Sequence, residues 1–177
     1  MNRTIRGFTS LIGLAMFIGC AGSTPPAKSA VDQAADMERN RCTAAEDESA
    51  LKPVLSGSAI EKVEPLYGNI ENAKGGAQPE LQGAMIHVRP VPGMTGEWLD
   101  RALECHSAKR VLGRIPAGDL PNDPFWLPGD RTVDIDAESA RDGFTVAVRG
   151  ATVADGHEIL ERATAFHAAT ASAPASN

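Results

Sequence analysis

The chain reads as an α+β protein: a small sheet of three strands, antiparallel or mixed, with two helices on one face, in the order β-α-β-β-α, preceded by an N-terminal helix. Three observations predict this. Residues near 84–90, 131–136 and 143–150 alternate apolar and polar side chains with the period of two that belongs to half-buried strands. Residues 96–112 and 152–168 instead repeat apolar positions every three or four residues, as amphipathic helices do. Residues 53–83, with Gly75-Gly76 and Pro79, lack a sustained period and read mostly as loop.

In chain order, "SAVDQAADMERNRCTAAEDESAL" is rich in helix formers and free of Gly and Pro, which predicts a helix over 30–52 ended by Pro53. Its apolar positions, Val31, Ala34, Ala35, Cys42 and Ala45, form only a thin stripe, so it should lie solvated against a neighbour with Cys42 on the touching side. A short strand near Ile60 to Val63 is expected within the following loop. The domain proper is expected over 84–168. "GAMIHVRPV" turns Ile86 and Val88 one way, and Met85, His87 and Arg89 the other. Thr95 is placed to cap a helix carrying Trp98, Leu99, Ala102, Leu103, Cys105, His106 and Leu112, with Gly113 as its stop. After the proline-rich loop "RIPAGDLPNDPFWLPGD", "RTVDID" and "GFTVAVRG" should form a hairpin through Asp142-Gly143. In the last helix Thr152 and Asp155 have capping-box spacing, ahead of an apolar stripe of Ile159, Leu160, Ala163, Phe166 and His167. Residues 169–177 should form a disordered tail. The arrangement resembles a ferredoxin-like split βαβ without its last strand.

The first twenty residues pair a basic start, Arg3 and Arg6, with an apolar run from Leu11 to Ile18. The run is shorter than the ~20 residues that span a bilayer. It fits the apolar segment of a secretory signal. "FIGC" followed by "AGSTPPAKSA" resembles a bacterial lipoprotein signal, with residues 1–19 removed, Cys20 acylated and residues 20–29 a flexible tether. Phe17 stands where that family usually has leucine. An ordinary secretory signal and an uncleaved anchor are the alternatives. The resemblance implies a membrane partner reached through a lipid anchor, and Ala21 after the cysteine implies the periplasmic face of an outer membrane.

The chain holds 17 basic and 23 acidic residues, a net charge of −6. Removing Arg3 and Arg6 leaves 15 against 23, or −8. Nucleic-acid binding needs clustered Lys and Arg to displace phosphate counterions, and no cluster is present. Beyond Cys20, Cys42 and Cys105 remain as an even count in an oxidising compartment, which favours a disulfide between them. Two other readings of Cys105-His106 stay open: a buried cysteine beside a packed histidine, and a metal site using both residues. A c-type haem is excluded because Ala102 occupies the place of its first cysteine. Neighbours on a helix diverge by about 100°, which disfavours a Cys105–His106 catalytic pair, and no nucleophile motif is present. No cofactor and no catalytic residue is therefore assigned. Phe125 and Trp126 read either as a flap over the core or as an aromatic patch for a protein partner in the envelope.

From about Val63 onward, "VEPLYG", "LQGAMIHVRPVPGMTGEWLDRALECH", "NDPFWLPG", "DGFTVAVRG" and "EILERATAF" resemble a group of uncharacterised predicted lipoproteins from myxobacteria and related bacteria. The resemblance covers about two thirds of the chain and implies no activity. It does imply that Cys105 and His106 belong to the domain's own pattern. The expectation is a non-catalytic, lipid-anchored envelope protein that binds a partner or serves a structural role. A periplasmic metal-binding module is second and an enzyme third.

Overall fold

The computed structural model describes residues 28–42, 48–71, 77–116 and 118–171. The residues read as a signal, Cys20 and most of those read as a tether lie outside them, and of the tail expected over 169–177 the first three residues belong to a helix that ends at Ala171. The described chain is α+β. Its order is α1 (Ala30–Asn40), α2 (Glu48–Leu55), β1 (Ile60–Glu71), β2 (Ala77–Val88), α3 (Gly96–Val111), β3 (Val133–Ala140), β4 (Gly143–Gly150) and α4 (Val153–Ala171). The strands form one antiparallel sheet in the order β1-β2-β4-β3.

The sheet thus has four strands where the sequence predicts three, and residues 53–83 are not mostly loop. They hold the end of α2, all of β1 and most of β2, and the short strand expected at 60–63 runs on to Glu71. Pro65 and Gly68 disguise β1 as irregular chain. Proline lacks the amide a central strand must donate, but an edge strand turns every second amide away from its neighbour. Pro65 sits at such an edge, opposite Ala84. The expected helix over 30–52 is also two helices, and Pro53 lies inside α2 rather than ending a longer one. Leu51 and Val54 hold α2 to the core, at 3% and 0% exposed.

The register sorts the side chains. Ala84, Ile86 and Val88 of β2 align with Val148, Val146 and Phe144 of β4 on one face, joined there by Ile135 and Ala137 of β3. This face carries the core, under α4 across β1, β2 and β4 and under α3 beside β3. The opposite face carries Lys62, Glu64, His87, Thr145 and Arg149. The segment β2-α3-β3-β4-α4, with β4 between β2 and β3, has the connectivity of a split βαβ. The N-terminal β1 takes the outer place beside β2.

Three close approaches fix how the helices sit. A Cβ on Gly156 would lie 2.8 Å from the Leu81 carbonyl oxygen, so α4 reaches β2 only with glycine there. At Gly96 a Cβ would meet the Ser139 amide at 2.8 Å, where α3 begins against the end of β3. Asp100 then accepts the Ala137 amide at 3.0 Å, occupying part of the free edge of β3. Strands β3 and β4 meet as the expected hairpin, tighter than the sequence indicated: only Arg141 and Asp142 lie between them, and Gly143 has φ of 143°.

Candidate functional site

α3 brings together most of the residues the sequence singled out. The Thr95 side chain accepts the Trp98 amide at 3.2 Å to start the helix, and Gly113, at φ 68°, follows its last turn. Its interior is packed on several sides. Leu99, Ala102 and Leu103 belong to the core, while Cys105 faces α1.

Cys105 is disulfide-bonded to Cys42 across a separation of 63 residues, with Cα atoms 5.6 Å apart. That sulfur is therefore not a free thiolate for a metal. His106 is committed as well, its Nε2 lying 2.8 Å from Asp123 Oδ2. An ionised carboxylate only accepts, so Nε2 carries the hydrogen in this pair. The alternative metal pair Cys105 and His106 thus has both donors engaged elsewhere. His87 lies on the opposite face of the sheet, 2.8 Å from Glu64. Among the described residues, no group of three His, Cys, Asp or Glu side chains is arranged to hold a metal ion.

Asp123 is the centre of a buried polar knot. It is 1% exposed, against 4% for His106 and 3% for Arg110. Its carboxylate lies 3.1 Å from Arg110 Nε and accepts the Phe125 amide at 2.9 Å. Arg110 also donates to the carbonyls of Pro116 and Leu120. Arg162 of α4 donates to the Asp123 carbonyl at 3.0 Å. Asn122, at φ 62°, turns the loop into the knot through a left-handed conformation that asparagine tolerates better than most residues. The loop is thereby tied to both α3 and α4.

Phe125 and Trp126 form the flap of this loop. Phe125 is 0% exposed and lies in the core, which fits the flap and leaves this ring no surface for the alternative aromatic patch. Trp126 is half-buried, with the guanidinium carbons of Arg110 and Arg162 at 4.7 and 5.6 Å from its ring centroid. Both cations are drawn to the ring's negative face and help hold it down. The chemistry of the arrangement is charge compensation and closure. Sequence reasoning missed Arg110, Asp123 and Arg162. A faint signal existed for Arg110, which follows Leu103 and His106 at the helical spacing of buried positions.

A cavity of about 170 Å³ lies between α1, α3 and β3, lined by Gln33, Met37, Glu104, Ser107, Val111 and Asp134 among others. Burial pushes the Glu104 carboxyl above its ordinary range, opposed by Arg41 at 2.7 Å and reinforced by Asp100 and Asp134. No helix of the described residues is long and apolar enough to cross a membrane. Comparisons with protein-family models, with curated proteins and with solved structures give no match.

Proposed function

We propose that the chain is a lipid-anchored envelope protein whose α+β domain acts as a non-catalytic binding or structural module. The observation that carries this reading is the Cys42–Cys105 disulfide. It fits an oxidising compartment and leaves Cys20, behind a basic start and an apolar run, as the one remaining cysteine of the chain. Acyl chains contribute about 0.8 kcal/mol per buried CH₂, and two signals together give durable attachment. Ala21 after the cysteine supports the periplasmic face of an outer membrane. A binding or structural role is supported by the commitments around Cys105-His106: the sulfur is oxidised, and His106, Arg110 and Asp123 serve one another.

The test is Cys20→Ser expressed with its own signal in a Gram-negative host. The variant should lose both radiolabelled fatty-acid incorporation and membrane association, and should appear in the soluble periplasmic fraction. Equal membrane retention of the variant would overturn the anchor.

A further inference from the structure

Helix α1 is attached to the domain in an unusual way. It buries only Ala30 and Ala34, and these two small side chains lie apart from the main hydrophobic cluster, which is built from α2, the strands, α3, the flap and α4. Its polar ties lie mostly near the surface. Arg41 meets Glu104 at 2.7 Å, Arg114 meets Glu38 at 2.6 Å, and the Ala30 amide donates to Asp130 at 2.8 Å. The Arg114–Glu38 pair is open to solvent, contributes little and is screened by salt, while Glu104 is more buried than its partner Arg41. A half-open pocket of about 170 Å³ runs along the seam where the helix meets α3 and β3. The covalent tie is at its end: Cys42 stands two residues beyond Asn40, half-buried, and reaches the 2% exposed Cys105.

We propose that the Cys42–Cys105 disulfide is a redox clasp that holds α1 on a domain able to stay folded without it. The co-reactant is a dithiol reductant. One of its thiolates attacks the more accessible Cys42 sulfur, the Cys42–Cys105 bond breaks, and Cys105 leaves as a thiolate that takes up a proton. The second thiol of the reductant then closes on the mixed disulfide. This releases the Cys42 thiol and leaves the reductant as its own disulfide, so the protein gains two electrons and two protons.

The consequence for function rests on the lipid-anchor reading. With the clasp closed, residues 21–29 separate the anchor from α1, nine residues that extend at most about 30 Å. With it open, residues 21–47 separate the anchor from α2. Their reach is about 70 Å with α1 still wound and about 90 Å with it unwound. Reduction would let the domain stand two to three times farther from the membrane surface.

The test uses the full chain carrying Cys20→Ser, so that it does not depend on lipidation, with hydrogen exchange followed before and after dithiothreitol. Exchange in residues 30–40 should become at least about tenfold faster after reduction, while β2 and β4 stay within about twofold of their oxidised rates. Cys42→Ser, which leaves the buried Cys105 in place, should reproduce the reduced pattern. Unchanged protection of α1 would overturn the proposal, as would loss of protection in β2 and β4 together with α1. A disulfide that resists dithiothreitol in the folded protein would overturn its redox role. Reach is then measured on the lipidated chain by the thickness of the protein layer on a supported phosphatidylethanolamine–phosphatidylglycerol bilayer. If Cys20 is not the anchor, this second measurement fails alone and the exchange result stands.

Discussion

Replacing Asp123 with asparagine tests the buried knot most directly. The carboxylate is 1% exposed, pairs with His106 Nε2 at 2.8 Å and the Phe125 amide at 2.9 Å, and lies in an ion pair 3.1 Å from Arg110 Nε. Asparagine keeps the size but replaces one acceptor oxygen with an NH₂ group. Turned toward the Phe125 amide, that group points a donor at a donor; turned the other way, it meets the Arg110 guanidinium even if His106 changes tautomer to accept from it. A buried polar atom without a partner costs about 1–3 kcal/mol. The larger loss is electrostatic. The Arg110 side chain is 1% exposed, and removing the anion from a buried pair typically costs about 3–5 kcal/mol in all. A domain of this size should then melt about 10–20 °C lower. Urea unfolding of the Cys20→Ser chain, followed by circular dichroism and tryptophan fluorescence, measures the difference. The double variant R110M/D123N should lose less than the sum of its parts, because it removes the stranded cation. A loss below about 1 kcal/mol for D123N alone would refute the reasoning, since it would mean that water reaches the pair.

Other substitutions probe separate parts of the fold. Phe125→Ala should cost about 3–5 kcal/mol in the same unfolding assay, as befits a fully buried ring. Gly156→Ala, which would stabilise an ordinary helix interior by about 1 kcal/mol, should here cost about 1–3 kcal/mol because the new methyl meets the Leu81 carbonyl. The Thr152 side chain, with Arg131, holds the Asp155 carboxyl below its usual range. The folded value is thus lower than the unfolded one, so this contribution is complete above about pH 4 and is lost as pH falls through the folded value. Thr152→Val should lower stability by about 0.5–2 kcal/mol at pH 7 and flatten the decline below about pH 4, measured by urea unfolding at a series of acid pH values.

What could be read from the sequence followed the amphipathic period. Leu99, Ala102 and Leu103 of α3, Ile159, Ala163 and Phe166 of α4, and Phe144, Val146 and Val148 of β4 all stand in phase, and all are buried. β1 was hidden because an edge strand obeys looser rules. Its Lys62 and Glu64 face away from the helices, Pro65 needs no amide partner, and Tyr67 on the rim is 59% exposed. Val31 was expected to touch a neighbour but is 52% exposed, because α1 rests on Ala30 and Ala34 instead. The polar knot was harder to see. Arg110 and Asp123 are separated by a proline-rich loop, and a charged residue in a sequence carries no mark of whether its partner waits in the fold or in water.

The strand order also bears on when this chain can fold. The β1–β2 and β3–β4 pairs are hairpins between sequence neighbours, and such local pairings form fast. The seam between β2 and β4 must wait until α3 and the proline-rich loop have been threaded between them. The roof over β1, β2 and β4 is α4, the last element in the chain, so the first hairpin keeps its apolar side open until synthesis is nearly complete. An isolated hairpin is marginally stable in water, so the early β1–β2 pair gains its lasting support only when α4, at the far end of the chain, closes over it.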